Sequence, residues 1–153
     1  MPSQDLLDKE RRETAPCGLS CGRCVAFHDG AIRRHAAALR ELLGSAFGGY
    51  AARFADVQPA FGHYEAFAVL LEHLASGACP GCREGSCLFQ TCSVPACARE
   101  HEVEFCCRCP AYPCGETGFS ERLEALWRKN NDLLAQEGVE GFLAQARHRH
   151  RYP

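Results

Sequence analysis

At 153 residues the chain has room for one domain with a moderate core and is too short for a large barrel enzyme. A formal charge of −2 and a pI near 6.4 give no electrostatic case for nucleic acid as the main partner. Twelve cysteines, about 8% of the residues, are the strongest departure from ordinary composition; the 46% hydrophobic fraction counts them, so less apolar side chain is left for a core.

Residues 1–13 are charged and lack apolar periodicity, which predicts a frayed leader with no secretion-signal core. A Gly-rich loop follows, carrying Cys17, Cys21 and Cys24. From about Ala31 to Phe47, Ile32, Ala36, Leu39 and Leu43 recur at helical spacing, and Gly44, Gly48 and Gly49 mark a fraying end. A second helix is expected from Pro59, a residue suited to a first turn, to about Ala75, with Phe61, Tyr64, Phe67, Ala68, Leu71 and Leu74 as its stripe. Residues 79–118 are rich in Cys, Gly and Pro and read as loops and turns, with Glu102–Phe105 alternating as a short strand or ribbon. Ser120 is a credible N-cap for a helix carrying Leu123, Leu126, Trp127 and Leu134, broken at Gly138 before a last short helix. The sequence Arg147-His148-Arg149-His150-Arg151 reads as a solvated basic tail.

These elements predict a small, mainly α protein: helical hairpins packed on a cysteine-rich, metal-pinned loop region with at most a short β-ribbon. The expected organisation is a leader over 1–13, one cysteine-rich domain over 14–146 and a tail over 147–153. No stretch reaches the ~20 apolar residues a bilayer crossing needs, so a cytosolic chain without a membrane partner is expected. There thiols stay reduced, and clustered cysteines bind metal in preference to pairing as disulfides.

Nine cysteines fall between Cys79 and Cys114. Cys79-Pro80-Gly81-Cys82 and Cys106-Cys107-Arg108-Cys109 are CxxC turns, which bring two sulfurs to one side of a tight bend, where they can share one ion. Each continues to a third thiol at the same spacing, Cys87 and Cys114, so the two triplets repeat as Cx2Cx4C. Cys92 and Cys97 are available to complete them. The first triad, Cx3Cx2C, has the spacing of radical enzymes that hold a [4Fe–4S] cluster, but this helical chain lacks their repeated strand–helix units, and Arg23 precedes Cys24 where an aromatic is usual. The candidate ligands are therefore Cys17, Cys21, Cys24, Cys79, Cys82, Cys87, Cys92, Cys97, Cys106, Cys109 and Cys114. Four-coordinate sites use eight or twelve ligands and eleven are at hand, so the number of sites stays open. Cys107, inside its turn, reads as a small buried residue, and His101, in a charged segment, as solvated.

Taken together, Cys17-Gly18-Leu19-x-Cys21-Gly22-x-Cys24, Cys79-Pro80-Gly81-Cys82-Arg83 and the run from Cys97 through Glu102-Val103-Glu104-Phe105-Cys106 to Ala111-Tyr112-Pro113-Cys114 resemble the prokaryotic cysteine-rich domain-of-unknown-function family 3795. The closing segment with Trp127, Asn130, Gly138, Val139, Glu140 and Phe142 is similar to that family's helical end. The resemblance implies metal binding through these cysteines and a cytosolic prokaryotic setting; it implies no activity.

No Gly-rich phosphate loop, nucleophile elbow or HExxH motif is present, which points away from an enzyme. The expected function is a binding or adaptor module with structural metals, zinc ahead of an iron–sulfur cluster, and a protein partner met by the helices through Phe61–Leu74 and Leu123–Leu134. The alternatives are an iron–sulfur electron-transfer or redox protein and a metal sensor or buffer.

Overall fold

The computed structural model describes residues 2–85 and 88–152. Its helices are α1 (Gln4–Arg12), α2 (Ala31–Leu43), α3 (Phe47–Phe54), α4 (Tyr64–Ser76), α5 (Val94–Glu100) and α6 (Glu121–Ala146), with 3-10 turns at Pro59–His63 and Cys106–Arg108. Among the described residues there is no strand, only an isolated bridge between Thr14 and Ser20. The protein is thus small and mainly helical; the ribbon expected at Glu102–Phe105 is absent, and Glu102 instead takes a positive φ of 52° that turns the chain out of α5. No described helix is long and apolar enough to cross a membrane.

The chain divides into two compact units, residues 25–78 and residues 1–24 with 79–153. In the smaller, α2 and α4 pack through Ala36, Leu71 and Ala75, with Ala37, Leu43 and Leu74 around them. Alanines at this contact let the helices approach closely, and Arg40 clamps Glu72 across it with both oxygens at 2.8 Å. The long helix expected up to Phe47 ends instead at Leu43, because Gly44 takes φ +67°. A separate helix, α3, then forms over the glycines expected to fray. It is held by ring contacts rather than propensity: Phe47 meets Tyr50, Phe61 and Tyr64 at centroid distances of 5.1–6.1 Å.

In the larger unit α6 is the spine. Its first half carries Trp127 into a cluster with Ala15, Cys17 and Val94. Leu134, with Phe142 and Leu143 beyond the bend, packs on Phe105. The bend is Gly138 (φ 70°, ψ 179°), a conformation that disfavours any side chain with a Cβ. Trp127, which helical spacing places in the apolar stripe, is core at 1% exposure.

Two segments expected to be irregular are tied down. Residues 4–12 form α1, capped by Ser3, with Leu7 against the Phe105 cluster. Ion pairs do the rest: Arg11 to Glu104 (2.5 and 2.6 Å) and Glu10 to Arg147 (2.6 Å). At the other end the Arg23 guanidinium donates to the carbonyls of Ala146, Arg147 and Arg149 at 2.7–3.0 Å, fixing the basic segment against the body. Charge patterning hid both, since their partners are about a hundred residues away in sequence.

Asn131, fully buried, accepts from Cys107 N (2.9 Å) and donates to Trp127 O (3.1 Å). Asn131→Leu keeps the volume but strands the Cys107 N–H, and it is expected to cost about 1–3 kcal/mol in a denaturant melt. Arg11 holds the Glu104 carboxyl below the usual glutamate range, by hydrogen bond and then by charge. A depressed carboxyl stabilises above its unfolded pKa and loses that contribution as pH falls through the folded one. A double-mutant cycle of Arg11→Met and Glu104→Gln is therefore expected to show a coupling of about 0.2–1 kcal/mol near neutral pH and none at about pH 2.5.

Candidate metal centre

Alternate carbonyls of one short loop bring the cysteine segments together. Thr14 O accepts from Arg83 Nε (2.8 Å), Pro16 O from Cys106 N (3.0 Å) and Gly18 O from Asn130 Nδ2 (3.1 Å). The first thiol triad is thereby joined to the Cys79–Cys82 turn, to the Cys106–Cys109 turn and to α6. Gly18 sits at φ +81°, and a Cβ there would lie 2.7 Å from Asn130 Cβ, so only glycine permits this approach.

The eleven described cysteines carry no disulfide; the twelfth, the candidate ligand Cys87, lies outside the described residues. Cys17 is buried in the Trp127 cluster, with Cys21, Cys82, Cys92, Cys106 and Cys114 packed around it. Electrostatic proximity sorts these thiols further. Cys17 feels Cys92, Cys106 and Cys21, while Cys21 accepts from the Cys82 thiol and N–H. Cys97, in the first turn of α5, feels Cys114 and Cys109, and Cys106 feels Cys114 and Cys97. These contacts link eight thiols in one connected group, Cys17, Cys21, Cys82, Cys92, Cys97, Cys106, Cys109 and Cys114, with Cys106 coupled to Cys17 as well as to Cys97 and Cys114.

The remaining candidates are placed by other contacts. Cys24 lies 3.8 Å from the Tyr152 hydroxyl, and Cys79 is buried at the head of its turn. Cys107 faces the other way, into the Phe105–Leu134 cluster. His101 is an exposed residue at the end of α5. Among the described residues, no three His, Cys, Asp or Glu side chains are arranged as a cage for a metal ion.

Burial pushes the Cys17 thiol up to about 12 and the Cys106 thiol up to about 11. Cys21 goes the other way, to about 6. The hydrogen bond from the Cys82 side chain lowers it most, and the Cys82 N–H, Arg151 and Arg83 lower it further. Around these sulfurs stand buried donors with nothing to receive them. Arg83 Nη2 and Arg151 Nε lack partners, and both arginines act on Cys21. Trp127 Nε1 is buried without a hydrogen bond of normal geometry and lies against the Cys106 sulfur, whose charged form it favours. Arg83, Trp127 and Arg151 escape a ligand search by cysteine spacing. Only the position of Arg83, directly after Cys82, offers a signal in the sequence.

Fold and thiol arrangement together define a small, mainly helical, cysteine-rich protein. The chain belongs to the DUF3795 family, described as proteins of unknown function, whose model matches residues 13–118. That span takes in the three thiol segments and stops short of α6, so the helical end lies outside the match. No curated protein and no solved structure matches the chain.

The Gly18–Asn130 contact gives a direct test of the loop's role. Gly18→Ala is expected to lose about 1–3 kcal/mol of stability through backbone strain and the clash. Gly49→Ala, in α3 with nothing within 4 Å, is expected to be neutral or stabilising by up to about 1 kcal/mol. Thermal melts of the two variants side by side check the contrast.

Proposed function

We propose that this is a thiolate metal-binding protein in which structural ions, zinc first, lock the three cysteine segments of the larger unit into the scaffold of a binding module. The observation that carries this reading is a set of buried donors disposed toward thiols: Arg83 Nη2 and Arg151 Nε have no hydrogen-bond partner and both arginines favour the charged form of Cys21, while Trp127 Nε1 favours that of Cys106. A buried donor left unpaired costs about 1–3 kcal/mol, and a neutral thiol is a weak acceptor. A metal-bound thiolate is a strong one. Four thiolates on a divalent ion carry net negative charge, which two arginines at one site offset.

Eight linked thiols are the number that two closed four-thiolate sites use. As placed, the sulfurs do not form a cage, so the reading requires them to turn inward onto an ion by side-chain rotation. An ion closed off by four thiolates cross-links the chain and has no open position at which to activate water. The adaptor part of the reading is supported by the smaller unit, where Leu42 (84%), Val57 (82%) and Val69 (74%) are largely exposed.

The test is anaerobic purification followed by metal analysis and a visible spectrum, on the parent chain and on Cys21→Ser, Cys106→Ser and Cys107→Ser. Expected are about two equivalents of zinc, a loss of about one in each of the first two variants and none in the third. Protein isolated without metal, and unable to take up zinc, ends the proposal. A brown protein with absorbance near about 400 nm and bound sulfide replaces zinc by an iron–sulfur cluster. One ion leaving quickly to chelator while the fold persists favours a sensor or buffer. Chelation of a structural ion is expected to expose residues 79–118 to protease first, since these have few large apolar side chains to order them.

A further inference from the structure

A cleft of about 350 Å³, lined by no cysteine, lies in the larger unit between the Gly18–Ser20 loop, both halves of α6 and the segment after it. Its floor is apolar, formed by Leu19, Leu126, Phe142 and Ala146. Its rim is cationic: Lys129, Arg149 and Arg151 with His148 and His150, and no aspartate or glutamate lines it. In a chain of net charge −2 this is a local concentration of one sign. The neighbouring acids are already engaged, Glu10 by Arg147, Glu13 by Lys9, and Asp132, which lies beside Lys129 and Arg149, by the Tyr112 hydroxyl (2.7 Å).

The rim is built rather than trailing. Three bonds from Arg23 hold the carbonyls of Ala146, Arg147 and Arg149, and they also cover the helix-terminal oxygens that would otherwise repel an anion. Arg149 is steadied by Gln145 Oε1 at 2.9 Å. Buried Asn130 fixes the opposite wall through Gly18 O. Arg151 directs its charge at Cys21, which leaves Lys129 and Arg149, with the two histidines, to meet a ligand.

We infer that this cleft binds a small phosphorylated organic molecule. Lys129 and Arg149 would take the phosphate, and the apolar body would lie over Leu126 and Phe142. Two permanent cations suit a phosphate dianion better than a single carboxylate charge. The volume falls within the usual range for small-ligand sites, and its polar lining is weighted toward cations over an apolar floor. A concave site also fits a compact ligand better than the extended backbone of a nucleic acid.

Calorimetric titration of the protein as isolated, with phenyl phosphate, inorganic phosphate, phenol and a single-stranded oligothymidylate, tests the inference. Phenyl phosphate is expected to saturate one site, inorganic phosphate to bind about tenfold more weakly or worse, and phenol not to bind. Lys129 is exposed, so Lys129→Glu leaves the fold intact and is expected to weaken phenyl phosphate by about tenfold or more. Leu126→Gln is expected to narrow the gap between phenyl and inorganic phosphate. Metal content and helical circular dichroism, unchanged in both variants, separate this outcome from any failure of the metal sites. Absence of saturable phenyl phosphate binding, equal affinity in Lys129→Glu, or tighter binding of the oligonucleotide overturns the inference.

Discussion

Everything in the larger unit depends on five residues, Thr14 to Gly18, whose alternate carbonyls are each claimed by a different part of the chain. The loop is a tight turn, closed by Gly18 N on Ala15 O with Gly18 at φ +81°, and its Thr14, Pro16 and Gly18 carbonyls are taken in turn by Arg83, Cys106 N and Asn130. The core behind them is small, being Ala15, Cys17, Val94 and Trp127 with half-buried thiols around it. A second cluster around Phe105 and Leu134 shares the ordering of the unit, and the hydrogen bonds to these carbonyls supply the specificity of the arrangement. Adjacent asparagines on α6 complete the arrangement: Asn130 holds the first triad and Asn131 holds the Cys106–Cys109 turn.

Two requirements conflict around that core. Apolar burial raises the thiols of Cys17 and Cys106, which penalises bare thiolates, while the flanking arginines and the Trp127 N–H are disposed to receive negative sulfur. A divalent ion would reconcile the two, because it ionises the thiols and leaves a charged sulfur shell for the donors to meet. Cys107 stands outside this conflict. It packs with Phe105 and Leu134, and only its backbone N–H is put to use. The cationic cleft follows from the same architecture, because Arg23, one residue before the last thiol of the first triad, also anchors the segment that carries its rim.

Much was legible in advance. Helical spacing located α2 and α4, Ser120 and Gly138 located the start and bend of α6, and the repeated CxxC turns with the Tyr112-Pro113-Cys114 run pointed to the family to which the chain belongs. What was not legible shares one cause. Helix α3 forms over two glycines because rings from Phe61 and Tyr64 close on Phe47, and α1 forms in a charged segment because Glu104 and Arg147 meet its arginine and glutamate. Leu39 belongs to the expected stripe of α2 yet is 41% exposed, since the contact with α4 runs through Ala36 and Leu43.

The sequence by itself determined the helical periodicities, the helix stops and the turns that pair neighbouring thiols, because all of these are decided within a few bonds of backbone. It also set the inventory of thiols. Only the tertiary structure decided which cysteines stand together, that Cys107 turns away from the others, and that Arg83, Trp127 and Arg151 surround the sulfurs. Those choices are made by hydrogen bonds and ring contacts across tens to more than a hundred residues. Such pairings depend on which carbonyl faces which donor once the chain has closed on itself, a relation that spacing along the chain does not encode.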